Sequence, residues 1–502
     1  MLASLRARLD AIGVSLALLF GLPTLGYAFG RDQALFCYVG REWVAGRLPY
    51  VEAFDVKPPS IYAIYALAGE LLGFQLWSIR VLELFAVLAL GVCIALAVRR
   101  DRALVRGELG AVVLLTSAAY FTVFDYWDTG QAELWEGLLA LLGYLVAERM
   151  RKPLQAAVIA GLLGGVALMF KMTVAVVLPI AGCVIVFRAY REKGARAAAI
   201  ALAVHCAAAT AVVSAVLAYF ALRGGWPALV ELAHYTATYV RLTSSPTEAQ
   251  ENLAWLWQEL IAPWTLILVA LFAVGVGLTV RRRALTGPAL ALLLTLASIC
   301  SVAVQGKYWA YHWVVVAPLA LLCAAYGLSE LARLRADAVL PVALLVAALG
   351  LSTTPHWGTS ETVTYASYTQ SFWSYLRGSL RRSEFLVQFT GPFGYDYALE
   401  ERVGDLIGEL AKPGDQLQVR GFEPAIYVHA RLGSPSRFAS EAPIAVTSSA
   451  TWAAEHERSL WAKPPRFFVT YAANAWDIDA IKAHGYHPIG QLHRFLWLEH
   501  AP

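Results

Sequence analysis

Asp32, Asp55 and Lys57 stand within one short polar stretch of an otherwise apolar chain. The stretch runs Arg31-Asp32-Gln33, then Gly46-Arg47-Leu48-Pro49-Tyr50, then Phe54-Asp55-Val56-Lys57-Pro58-Pro59, directly after the first apolar run. Charges at a bilayer edge cost free energy unless they are paired or used, so chemistry is sought here first. Asp32 lies where the apolar run ends, at a depth where a carboxylate is partly desolvated, as a general base requires. An ion pair with Arg31, or an N-cap on a following helix, accounts for Asp32 equally well. Asp55 and Lys57 precede two prolines, and the residue before proline is pushed toward extended geometry. Alternate residues of an extended segment project to one side, where an acid and a cation together would orient an acceptor hydroxyl and hold a phosphate. A plain surface pair in a tight turn, contributing little stability, is the competing reading.

Further charges punctuate the apolar runs. Lys171 interrupts Gly161 to Pro179, and Arg80 sits at the start of the second long run; each is a functional cation or a side chain snorkelling to the headgroups. Asp125 and Asp128 have the look of a metal-type acid pair, but Asp128 with Gln131 three residues on fits an N-cap and its capping-box partner better. Glu133 and Glu136 share one face of the next helix, with Glu133 nearer its exterior end. Lys307-Tyr308-Trp309-Ala310-Tyr311-His312 reads either as an aromatic belt with a snorkelling lysine or as a phosphate grip, Lys307 and His312, beside rings that stack on a sugar. No Gly-rich phosphate loop, Cys/His metal array or Ser/His/Asp order stands out, and a divalent metal, though possible in principle, has no support in these residues.

The elements that must position these groups follow from composition. With 59% hydrophobic and 15% charged residues among 502, the chain is a polytopic membrane protein. The net charge of +4 gives no basis for nucleic-acid binding, and five of the six cysteines fall in apolar runs, so no disulfide framework is implied. Runs of roughly 17 to 25 apolar residues, enough to cross the hydrocarbon core, occur near 11–29, 77–98, 109–124, 131–147, 154–170, 172–187, 197–222, 261–280, 287–305, 310–328 and 337–353, eleven spans in all. Met1 to Asp10 with the run after it resembles a signal peptide without a small-x-small cleavage site, and is read as a retained first span. The clusters Arg6/Arg8, Arg99/Arg100/Arg102/Arg106, Arg149/Arg151/Lys152, Arg188/Arg191/Lys193/Arg196, Arg281/Arg282/Arg283 and Arg333/Arg335 fall on one side, which the positive-inside rule makes cytoplasmic. The count agrees only if 154–187 is two short helices meeting at Lys171, and it places the C-terminus outside.

The exterior side then holds 30–76, 125–130, a loop at 223–259, a turn at 305–308, and everything after 352. Ala34, Leu35, Tyr38, Val39 and Trp43, then Ile61, Tyr62, Tyr65, Leu67, Ala68 and Leu71, recur at helical spacing and predict two interfacial helices anchored by aromatics. Beyond about Pro392, strand-like runs (416–419, 466–470, 493–498) alternate with helical ones (397–410, 452–462, 474–484), which predicts a small exterior α/β domain. The division is thus a membrane part at 1–353, a connecting segment at 354–391 and an exterior domain at 392–502.

At Asp32, Gly46-Arg47-Leu48-Pro49-Tyr50, Asp55-Val56-Lys57-Pro58-Pro59, Arg80, Gln131-Ala132-Glu133 and Phe170-Lys171 the chain resembles the GT-C superfamily of lipid-phosphate-sugar-dependent glycosyltransferases. The resemblance lies with the bacterial branch of aminoarabinose transferase and the Rgt-type sugar transferases, related to protein O-mannosyltransferases. Many members carry Asp-Glu where this chain has Asp32-Gln33, which leaves a single acid at that point. The resemblance implies an all-α membrane fold with interfacial helices and a small exterior domain. It also implies sugar transfer from a polyprenyl-phosphate co-substrate to a hydroxyl of an envelope glycan, lipid or protein, at the exterior face of the bacterial inner membrane. It assigns Asp32 and Asp55 to catalysis, Lys57, Arg80, Lys171, Lys307, Tyr308, Tyr311 and His312 to the donor, and Tyr50 and Glu133 to the acceptor or to support. A lipid-linked sugar flippase or a non-catalytic membrane scaffold is the alternative; a flippase should show repeat symmetry between its halves.

Overall fold

The computed structural model describes residues 2–99, 105–243, 245–260, 263–281, 286–352, 364–391 and 394–500. Arg100, Arg102, Arg282 and Arg283 of the predicted basic face, 354–363 of the connecting segment and 392–393 at the predicted domain start lie outside the described residues.

Apolar sequence with no water to satisfy its backbone must coil, and the chain is helical almost throughout. The helices are α1 (Leu2–Gly21), α2 (Arg31–Val44), α3 (Ser60–Leu72), α4 (Leu76–Val98), α5 (Glu108–Val123), α6 (Ala132–Arg149), α7 (Pro153–Leu168), α8 (Pro179–Lys193), α9 (Ala195–Leu222), α10 (Trp226–Thr243) and α11 (Pro246–Leu260). They continue as α12 (Pro263–Arg281), α13 (Thr286–Ala303), α14 (Val316–Leu334), α15 (Val339–Leu351), α16 (Tyr365–Leu376), α17 (Arg382–Leu386), α18 (Tyr397–Leu410), α19 (Ala425–Ala430), α20 (Ala442–Thr447), α21 (Ala450–Ala462) and α22 (Ala475–Lys482). Strands β1 (Leu417–Val419), β2 (Phe467–Tyr471), β3 (Tyr486–Leu492) and β4 (Phe495–His500) form the one sheet among the described residues.

Each predicted span falls on a helix. Six segments are long and apolar enough to cross a membrane, and shorter apolar helices, among them α5, α7, α15 and the core of α12, cover most of the remainder. The chain is a multi-pass membrane protein. The predicted break at Lys171 is present: α7 ends at Leu168, a 3₁₀ turn spans Met172–Val176, and Pro179 opens α8. The stretch read as a loop at 223–259 is instead the helices α10 and α11.

The chain divides into two compact units. The first comprises 1–27, 80–216 and 245–381. Its helices approach closely where side chains vanish: a Cβ on Gly13 of α1 would lie 2.4 Å from the Gly110 carbonyl carbon of α5, and one on Gly110 would lie 2.6 Å from the Asp10 carbonyl oxygen. Without a hydrophobic force between helices in lipid, such backbone contact is a main source of helix association. Gly13→Leu or Gly110→Leu is therefore expected to destabilise this unit by roughly 1–3 kcal/mol through overpacking, read as a lower melting temperature of the detergent-solubilised protein.

The second unit gathers 28–79, 217–244 and 382–502. Its sheet has the order β1-β2-β4-β3, with β1 parallel to β2 and the other pairs antiparallel. The β1–β2 crossover carries α19, α20 and α21, and Leu460, Phe468, Ile481, Tyr486 and Leu498 form a buried core against the sheet. The predicted helices at α2 and α3 are present and pack together: a Cβ on Gly40 would meet the Ala66 nitrogen at 2.9 Å, and Phe36 meets Tyr62 and Tyr65 edge-on.

Candidate active site

In the second unit, the Gly46-to-Pro59 segment is wound tight by its own sequence. Gly46 takes a left-handed φ of 89° that ends the α2 turn, Arg47 pairs with Glu42, and the Leu48 N–H donates to Glu52 Oε2 at 2.7 Å. Tyr50, at φ 69°, donates its N–H to the Ala53 carbonyl at 2.8 Å and is wholly buried. Its hydroxyl donates to the Lys57 carbonyl at 2.8 Å, so Tyr50 braces the loop from beneath. The proline-stiffened run is not an extended strand as predicted. It bends at Val56 and Lys57, where the Lys57 N–H donates to the Tyr62 hydroxyl at 3.0 Å. Tyr62 in turn donates to Asp55 Oδ2 at 2.9 Å. Tethering by a side chain from α3 outweighs the local preference of the residues before Pro58.

Asp55 is 6% exposed. Burial pushes its carboxyl up to about 6, and the nearby charge of Asp32 pushes the same way, against bonds from the Val56 N–H and Tyr62 and the charge of Lys57. Asp32 lies half-buried in the first turn of α2. The cap position there is Gly30, so Asp32 is not the N-cap, and Arg31 is held by Glu423 at 2.9 Å. Asp32 lies close enough to Asp55 for its charge to act on that carboxyl. Lys57 is half-buried beside them.

The first unit holds the remaining residues. Arg80 is fully buried and donates to Glu83 at 3.0 Å, Thr129 Oγ1 at 2.8 Å and the Tyr126 carbonyl at 3.1 Å. Glu83 also accepts from Tyr120 at 2.7 Å and from the Gly130 N–H at 2.6 Å, so this pair clamps the turn at 125–130. In that turn Asp125 Oδ1 accepts from the Trp127 N–H at 2.8 Å. The expected Asp128 cap is absent: Gln131 occupies the cap position of α6, and Asp128 lies inside the turn. Burial, then Asp125 and Glu133, push Asp128 well above the usual carboxylate range.

Glu133, wholly buried on α6, pairs with Lys171, whose ammonium lies 5.4 Å from the Tyr311 ring centroid. Tyr311 meets His312 edge-on at 4.5 Å. Lys307 is 6% exposed with its ammonium 4.6 Å from the Trp309 centroid, and its carbonyl accepts from Asn252 Nδ2 at 2.8 Å. Tyr308 adopts a left-handed φ of 54° that turns the chain between α13 and the 3₁₀ segment Ala310–Val315. Among the described residues no group of three or more His, Cys, Asp or Glu side chains is arranged to hold a metal ion.

No protein-family model and no curated protein sequence matches the chain. Among solved structures, ArnT from Cupriavidus metallidurans bound to undecaprenyl phosphate aligns with a TM-score of 0.59 at 15% identity, over 98% of this chain and 99% of that one. The same enzyme in the apo state aligns with a TM-score of 0.58 at 15% identity, over 98% of each chain. The chain has the fold of ArnT. The membrane fold expected from a handful of short motifs thus holds over nearly the whole length.

Within this fold the structure brings Asp32, Tyr50, Asp55 and Lys57 together in one unit, and Glu133, Lys171 and Tyr311 together in the other. Two partners escaped the sequence reading. Tyr62 was counted only as an interfacial anchor, although its spacing to Asp55 across the prolines was visible. Glu83, three residues after Arg80 on one helix face, was an available signal for that pair.

Proposed function

We propose that this protein is a glycosyltransferase that moves a sugar from a polyprenyl-phosphate donor to an acceptor hydroxyl. The observation that carries the reading is the nearness of Asp32 and Asp55, the first half-buried and the second buried with its carboxyl at about 6. A base is most effective when its proton affinity lies near the working pH. The likeness in fold to ArnT, solved with undecaprenyl phosphate, supports the donor class.

In the reaction the acceptor oxygen attacks the anomeric carbon and a new C–O bond forms. The C–O bond to the donor phosphate breaks, and its electron pair leaves on the phosphate. The acceptor proton passes to the carboxylate pair. Asp32 is the member that meets the hydroxyl. In the second unit Lys57 is the cation for the leaving phosphate; in the first unit Lys171 and Lys307 are its counterparts, with Tyr308, Tyr311 and His312 as the residues for the sugar. A well-placed charge of this kind contributes on the order of 3 kcal/mol to the transition state. Arg80 serves the donor indirectly, through the 125–130 turn that it holds.

Nucleotide sugars are cytoplasmic, so a lipid-linked donor suits an enzyme working at the exterior face. The basic clusters put the N-terminus in the cytoplasm and the domain at 392–502 outside, in a bacterial inner membrane. The acceptor class is an envelope glycan, lipid or protein. Asp32→Asn in membranes supplied with radiolabelled polyprenyl-phosphate sugar is expected to lose transfer by about 10²- to 10⁴-fold. Undiminished transfer by that variant would remove Asp32 as the base, and wild type inert toward every lipid-linked donor would remove the reaction.

A further inference from the structure

Arg437, from the segment between α19 and α20, joins three parts of the sequence inside the second unit. Its carbonyl accepts from the Phe54 N–H at 2.8 Å, and its guanidinium donates to the Tyr50 carbonyl at 3.3 Å. The same guanidinium grips Glu231 of α10 with two bonds, 2.7 and 3.0 Å, and reaches Glu455 of α21 at 2.8 Å. Paired N–H donors from one planar group fix orientation as well as distance. The ring faces of Phe54, Phe438 and Trp452 lie 5.2, 4.7 and 5.7 Å from its central carbon, and the side chain is 9% exposed. Trp452 also donates its indole N–H to Glu231. Phe54 and Tyr50 bracket the turn that ends in Asp55.

We infer that Arg437 is a positioning residue for sugar transfer: held by Glu231, it fixes the Tyr50–Phe54 backbone and thereby the placement of the Asp55 carboxylate beside Asp32. The inference rests on the transfer reaction proposed above. A purely structural arginine would need only one counter-ion and any neighbouring backbone. This one has two carboxylates on different helices, and both of its hydrogen bonds to the loop are to main-chain groups of the turn that ends in a reacting acid. The groups that face Asp55 are Asp32 on α2, Tyr50 and Lys57 on its own loop, Tyr62 on α3 and Tyr235 on α10. Tyr235 packs edge-on against Phe54 at 6.0 Å and stacks on Trp452 at 5.4 Å, so α10 shares the same support.

The test uses the full-length protein in detergent or vesicles. Arg437→Ala is expected to raise amide hydrogen exchange in peptides covering 49–57 and 226–239 together. It is also expected to lower kcat on the order of 100-fold, the loss that a misplacement of about 1 Å can cause, with donor KM unchanged. The acid limb of its pH profile should move down as Asp55 becomes better hydrated. Glu231→Gln should reproduce these effects in part, and adding it to Arg437→Ala should cost nothing more, because the two act through one contact. Arg437→Lys should recover part of kcat. Unchanged exchange at 49–57 in folded Arg437→Ala would overturn the inference, as would raised exchange with kcat and the acid limb unmoved. Raised exchange at 49–57 in a protein whose wild type transfers no sugar would overturn the proposed reaction and with it the inferred role of Arg437.

Discussion

Asp55→Asn is expected to abolish most transfer while making the protein more stable above pH 6. The Asp55 carboxyl is raised from an ordinary 3.8 to about 6, so folding favours its protonated form. Ionising it works against the fold: the penalty is absent below about pH 4, grows between 4 and 6, and stands in full at pH 7, on the order of 3 kcal/mol. Asparagine keeps an oxygen for the Tyr62 hydroxyl and carries no charge to desolvate, so it removes most of that penalty. Thermal unfolding compared at pH 5 and pH 7.5 measures it: wild type should lose stability across that interval and Asp55→Asn should not. Wild-type transfer should fall below about pH 6, where the buried acid takes up its proton. A variant as active as wild type would mean that the charge at Asp55 has no part in the reaction.

Lys171→Met should have the largest effect on the first unit. Glu133 is wholly buried and its Oε2 has no hydrogen-bond partner, so removing the lysine leaves a buried carboxylate without its counter-ion and near Asp128. Breaking one side of a buried ion pair costs about 3–5 kcal/mol. Replacing both charges, Lys171→Met with Glu133→Leu, should recover most of the stability, since apolar pairs of similar volume replace buried ion pairs well. The double variant separates two roles of the lysine. If Lys171 also meets the donor phosphate, the refolded double variant stays deficient in transfer and in retention of a labelled polyprenyl phosphate. Recovered transfer would confine Lys171 to structure.

What could be read from the sequence follows the range of the interactions involved. Spans, interfacial helices and three of the four strands are encoded by the periodicity of neighbouring side chains, which needs no knowledge of the rest of the fold. The fourth strand, β3, has no such signal because Pro488 and Gly490 sit within it and only Tyr486 of its residues is buried. A bulge between Pro488 and Gly490 lets an edge strand carry both residues, and the Trp497 ring fills the space where a Gly490 Cβ would be. α10 and α11 were read as loop because their apolar residues are interrupted by Glu231, His234, Glu248 and Glu251. The nearness of Asp32 to Asp55 was invisible for another reason. It depends on Tyr62 bending the chain at Val56, and the sequence pattern around Pro58 and Pro59 argues for a straight segment. Arg437 gives no local signal, since each of its hydrogen-bonding partners is distant along the chain or belongs to another element.

That distance bears on how the protein is made. Tyr50 and Arg437 are 387 residues apart, and at 5–20 residues per second a ribosome needs roughly 20–80 s to deliver the second after the first. Throughout that interval the Asp32 and Asp55 segment has emerged while the arginine that braces it does not yet exist. On the proposed reaction, a nascent chain inserted in the membrane cannot transfer sugar until Arg437 has been made, and any stall before it yields a product that occupies the bilayer with the Asp55 turn unbraced.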